Sequence, residues 1–224
     1  MLGYKNMGEV GCLKDGNFQN LQVAGMFRTS SETHTHTNIG NQTTTGTFTS
    51  KGAVSLGTTE PMSAGAGITT GVGTVIKYGV VRVGKIFTTQ IYIDLTGLSS
   101  SAGVGDLIGK TGTTGVSIGK ITTAVNGTIV AGTVTCLEVA LGGDPDVDIW
   151  TATDNVGVQD ASVTTLTGQI QQTNNGDYTL GMVGAFMSTV VPAPNSYLYL
   201  SHGTGGHVGA YTAGKLLITL YGTA

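Results

Sequence analysis

Charge is scarce in this chain. Asp, Glu, Lys and Arg together make up only 10% of the 224 residues, where an ordinary soluble domain carries about a quarter. Ten basic residues stand against 13 acidic ones, for a net charge of −3 and no Lys/Arg run. That excludes electrostatic binding of nucleic acid, because nothing is present to neutralise a row of phosphates. Long apolar runs are missing too: no stretch of about 18 apolar residues occurs, so no membrane span is expected. The opening Met1-Leu2-Gly3-Tyr4-Lys5-Asn6 lacks the apolar stretch of a secretory signal. Two cysteines, Cys12 and Cys136, are too few for a disulfide framework and read as free thiols of a protein assembled in a reducing compartment. With so few charges, the polar surface must be Thr, Ser, Asn and Gly, or be covered by other subunits. Both alternatives point to an assembly protein.

What the chain does have is glycine, 37 residues of it, with threonine about as abundant and valine and isoleucine close behind. β-Branched residues favour extended backbone, and glycine marks turns and close approaches of chain to chain. The expected class is all-β, a jelly-roll-like β-sandwich body over residues 62–224 behind an extended N-terminal arm, 1–61. Val72–Val83 and Ile86–Leu95 read as strands joined through Gly84-Lys85, with Ile86, Ile91, Ile93 and Leu95 as core candidates. Further strands are expected at 105–109, 116–125, 127–139, 146–151, 179–190, Tyr197–Ser201 and Lys215–Tyr221. The last two are joined by a Gly-rich loop, 202–214. A short helix is expected within 161–172. Asn126-Gly127, between β-branched runs, reads as a hairpin turn.

Segment 28–59 is polar, Thr-rich and poor in bulky apolar residues, so by itself it buries too little surface to offset its ordering entropy. An arm that orders on a neighbouring chain fits that composition. Within it lies His34-Thr35-His36. Residues i and i+2 of an extended chain face the same way, and three copies on a shared axis would supply an octahedral nitrogen cage for a transition metal. Otherwise the two are exposed neutral imidazoles. His34 and His36 are the candidate metal ligands; no cofactor is expected.

Other motifs carry less chemistry. Gly103–Thr111 resembles a phosphate loop, but Val104 stands where the template needs glycine and no helix pattern follows. Asp144-Pro145-Asp146-Val147-Asp148 reads as a solvated acidic loop; calcium ligation or a hydrolytic carboxylate pair is the sharper alternative. His202 and His207 read as surface residues. Tyr197, Tyr199, Tyr211 and Tyr221 suit packing, or alternatively a carbohydrate-stacking surface. No nucleophile–base–orienter set is visible, and the chain is not expected to be an enzyme.

Gly65–Ala140, the following Gly142-Gly143-Asp144-Pro145-Asp146-Val147-Asp148-Ile149, and the ending Tyr197-Leu198-Tyr199-Leu200…Tyr211–Ile218 resemble a group of structural proteins of tailed bacteriophages. Genes of that group often lie close to that of the major capsid protein. The resemblance covers about residues 60–224. It implies a virion protein that decorates the capsid surface, with the major capsid protein as partner, no nucleic acid and no membrane. With the low charge, it suggests a homotrimer assembled in the host cytoplasm. The His-x-His motif is separately similar to metal sites of trimeric phage fibres. A head or tail fibre component that binds host glycan is the alternative the same residues suggest.

Overall fold

The computed structural model describes residues 61–101, 103–187, 190–204 and 207–224. The expected arm, 1–61, and its His34 and His36 lie outside the described residues, save for Pro61. The elements in chain order are one helical turn α1 (Ala66–Thr69), β1 (Val75–Val83), β2 (Ile86–Asp94), β3 (Ser99–Ser100) and β4 (Ser117–Lys120). A second turn α2 (Thr123–Asn126), β5 (Thr128–Leu141), β6 (Val147–Ala152), a 3-10 turn (Val163–Thr165) and β7 (Ile170–Gln171) follow. Last come β8 (Val183–Ala185), β9 (Tyr197–His202), β10 (Gly209–Ala210) and β11 (Ala213–Thr223). The all-β class is as expected, and among the described residues no helix is long and apolar enough to cross a membrane.

Two antiparallel sheets pack together. One has the order β1-β2-β11-β5-β8 and the other β4-β9-β6-β7, while β3 and β10 form a small ribbon. Alternation along β2 sends Phe87, Thr89, Ile91 and Ile93 inward, and β11 contributes Leu216, Ile218 and Leu220. From the other sheet come Ile118, Ile149, Leu198 and Leu200, all in the same buried cluster. Each such side chain removed from water is worth about 1.5–3 kcal/mol, which makes this cluster the main source of stability.

The β1–β2 hairpin forms as the sequence suggests, Val83 opposite Ile86, with Gly84 at φ +61°. A glycine at positive φ in the first central position is what a two-residue turn matched to strand twist requires. Ile86, however, is exposed: it stands one residue out of phase with Ile91, Ile93 and Leu95, which are all buried.

Asn126-Gly127 is also not a hairpin. Thr122 caps α2 by accepting the Val125 N–H, and Gly127 ends it at φ +70°. Asn126 is wholly buried, accepting the Thr122 N–H at 2.9 Å and donating to Thr89 Oγ1 at 3.0 Å. The pair's tolerance of left-handed backbone is spent on a helix end between two sheets, since β4 pairs β9 whereas β5 pairs β11 and β8. Segment 105–109 forms isolated bridges rather than a strand, and of 161–172 only three residues are helical. β9 and β11, joined through the Gly-rich loop and β10, lie in different sheets.

Candidate functional site

The acidic stretch after β5 is not a solvated loop. Asp144, Asp146 and Asp148 are all buried, and each carboxylate is held differently. Asp144 Oδ1 accepts the Asp146 N–H at 2.9 Å, folding the segment into a tight turn. Asp144 Oδ2 lies 2.7 Å from His202 Nε2, both side chains having no solvent exposure. The approach is off the line of a directed hydrogen bond, so the two groups meet as a close buried contact. Asp146 Oδ2 accepts both the N–H (2.7 Å) and the hydroxyl (2.9 Å) of Thr204. Asp148 Oδ2 accepts Gln171 Nε2 at 2.8 Å.

His202 is therefore a buried residue rather than a surface one; His207 is exposed as expected. It ends β9, opposite Val147 at the start of β6. Its Nδ1 faces the carbonyl of Gly203 at 2.9 Å. Gly203 in turn donates its N–H to Asp146 O at 2.7 Å and packs against that residue's carboxylate so closely that no Cβ fits. Tyr211, read as a packing residue with a stacking surface as the alternative, is 1% exposed and donates its hydroxyl to Asp144 O at 2.9 Å. Ser100 Oγ completes the anchor, accepting the Asp144 N–H and donating to His207 O, each at 3.1 Å. Tyr199 is buried as well, whereas Tyr221 is exposed, so the four tyrosines form no common surface.

These carboxylates are each committed to a different neighbour, and among the described residues no group of three or more His, Cys, Asp or Glu is placed to hold a metal. Burial pushes the Asp148 carboxyl up to about 6, with the nearby Asp146 charge adding to the rise. The same cause raises the Tyr199 and Tyr178 hydroxyls to about 12. Cys136, a free buried thiol, is also raised by burial.

Gly103–Thr111 does not take the shape of a phosphate loop: it leads into no helix and lies along β9, Ile108 N–H donating to Leu200 O at 2.9 Å. Asp106 ties off its own turn by accepting the Ser101 hydroxyl and the Gly103 N–H.

Two surfaces remain for recognition. Above β6 and β7 lies a cleft of about 300 Å³ whose lining includes Asp148, Trp150, Gln171, Asn174, Thr164 and Thr204. Neither Trp150 nor Asn174 stood out in the sequence. Asp148 and Trp150 are two apart on β6 and so share a face, and Trp150 pairs in register with Gln171.

The second surface is the outer face of the five-stranded sheet. At one end Lys215 pairs with Glu138 and stands 3.8 Å from Asp94, joining three strands. At the other end, around the hairpin tip, Val81, Val83 and Ile86 are 61%, 73% and 51% exposed. Register places Val81, Thr88, Tyr221 and Ala131 side by side there, an uncharged row across four strands.

Compared with known families, curated proteins and solved structures, the chain matches no family model, no curated protein and no solved structure.

Proposed function

We propose that the chain is a structural protein of a tailed-phage virion, a capsid decoration protein that binds the outer shell as a homotrimer and stabilises it. The observation that carries this reading is the apolar end of the five-stranded sheet. Monomeric soluble proteins rarely expose contiguous large apolar groups, and such a patch marks a surface meant to be covered. Val81, Val83 and Ile86 occur together on a projecting hairpin, in a chain with only 10% charged residues. An interface of the usual size, about 800 Å² per partner, would bury the tip and the row behind it. The sequence resemblance to phage structural proteins supplies the kind of partner, the major capsid protein. No catalytic step is needed for this role.

Binding to capsids lacking the protein tests it. Val83→Asp combined with Ile86→Lys alters exposed side chains only, so the fold stays intact and attachment to bare capsids falls. Unchanged attachment of the folded double variant overturns the assignment of this surface. Removing residues 1–61 is expected to leave a folded body, since among the described residues the buried cluster starts at Met62, and to weaken attachment. Undiminished binding of that truncated protein removes the arm's role. Solution mass by light scattering gives the oligomeric state, and a persistent monomer both free and on the capsid overturns the trimer.

A further inference from the structure

The cleft over β6 and β7 has no part in that reading. Its floor is buried. Asp148 is 6% exposed and is locked to Gln171 across the β6–β7 pair. Trp150, half-buried, lines one wall, and its indole N–H is shut away from solvent with no acceptor. The exposed rim carries no charge: Asn174, Thr164 and Thr204 are polar, and the apolar Val104 stands beside them. No Lys or Arg lines it, and its one histidine, His202, is already paired with Asp144.

That set of groups selects a ligand class. A volume of about 300 Å³ lies at the small end of ligand sites, which run from about 300 to 1,000 Å³, and suits one sugar ring rather than an extended chain. An aromatic wall offers its face to the C–H side of a pyranose. A carboxylate and neutral amides and hydroxyls accept from and donate to ring hydroxyls in fixed directions. The uncompensated Asp148 carboxylate disfavours phosphate, uronate or sialate.

We propose that this cleft is a subsite for one neutral hexose ring of a surface polysaccharide, with Trp150 against the ring face and Asp148, Gln171 and Asn174 taking its hydroxyls. The site is separate from the C-terminal tyrosines, which are buried or dispersed, and it does not rest on the capsid reading. A virion protein carrying it would hold weakly to glycan while fixed to the shell through the other sheet. Many copies on one particle turn weak single contacts into avidity.

Trp150 is the one tryptophan of the chain, so its indole N–H resonance and its fluorescence report on this cleft alone. The full-length protein is titrated with neutral oligosaccharides of glucose, galactose, mannose and N-acetylglucosamine, and with galacturonate oligosaccharides and a glucose phosphate. The expected result is a saturable shift of the Trp150 resonance with at least one neutral sugar and none with the anions. Asn174→Ala and Asp148→Asn should each weaken it roughly five- to tenfold, the loss of one ligand hydrogen bond. No saturable shift with any neutral sugar, an equal response to the anions, or full affinity in both variants overturns the proposal. Val83→Asp with Ile86→Lys should respond to sugar like the parent, so failure at the cleft and failure of the capsid reading are told apart.

Discussion

His202 and Asp144 are 58 residues apart in sequence, yet His202 Nε2 sits 2.7 Å from Asp144 Oδ2 with neither side chain touching solvent. The other ring nitrogen faces the Gly203 carbonyl at 2.9 Å. The ring is thus held between a carboxylate and a backbone carbonyl, wholly inside the protein.

Breaking such a pair from one side strands a buried polar group, which costs about 1–3 kcal/mol. His202→Ala and Asp144→Ala are each expected to lose that much in urea unfolding. The double variant should lose clearly less than the sum. Additive losses below about 1 kcal/mol each would mean that water reaches the pair.

Asp148 gives a pH dependence with a definite sign. Its carboxyl is raised from 3.8 to about 6, so between those values the folded protein holds a proton that the unfolded chain has released. Stability contributed by this group falls as pH rises through that window, and the penalty is complete above pH 6. Asp148→Asn should therefore raise stability at pH 7–8 by about 1 kcal/mol, once the ceiling set by the shift is discounted for screening and an altered Gln171 hydrogen bond. The gain should vanish below about pH 4. Thermal unfolding of both proteins across pH measures it. A gain that persists unchanged in acid would show that burial of charge is not its cause.

Gly203 is held for space rather than for backbone angle. A Cβ there would overlap the Asp146 carboxylate, which is buried and held by Thr204. Gly203→Ala should cost about 1–3 kcal/mol, the usual penalty of overpacking. Differential scanning calorimetry reads it as a lowered Tm. A neutral result would show that Asp146 has somewhere to move.

Alternation along single strands was legible in the sequence. Ile91, Ile93 and Leu95, and the β11 run from Leu216 to Leu220, fall where their spacing puts them. Partners were not, because pairing is long-range: nothing local to Asn126-Gly127 says that β4 and β5 belong to different sheets. The acidic stretch looked solvated for the same reason, since His202, Thr204 and Gln171 come from 23 to 58 residues away. One signal was present. His202 continues the even-numbered phase of Leu198 and Leu200 along β9, which marks its side chain as core-facing, and all three are fully buried. The glycines that follow it suggest an exposed loop, when Gly203 is there because backbone and carboxylate approach closely. For Trp150 and Asn174 no local pattern points to a cleft, which exists only once the β6–β7 pair and the 3-10 turn are assembled.

The strand that joins the larger sheet together is β11, paired with β2 on one side and β5 on the other. Neither half of that sheet can close while the ribosome has yet to reach residue 223. Until then Ile91, Ile93, Val134 and Cys136 lack the Leu216, Ile218 and Leu220 they pack beside. Folding of this region thus waits on β11 rather than proceeding strand by strand, the slow regime of distant pairings. A polypeptide cut short before β11 would offer chaperones and proteases an open apolar sheet.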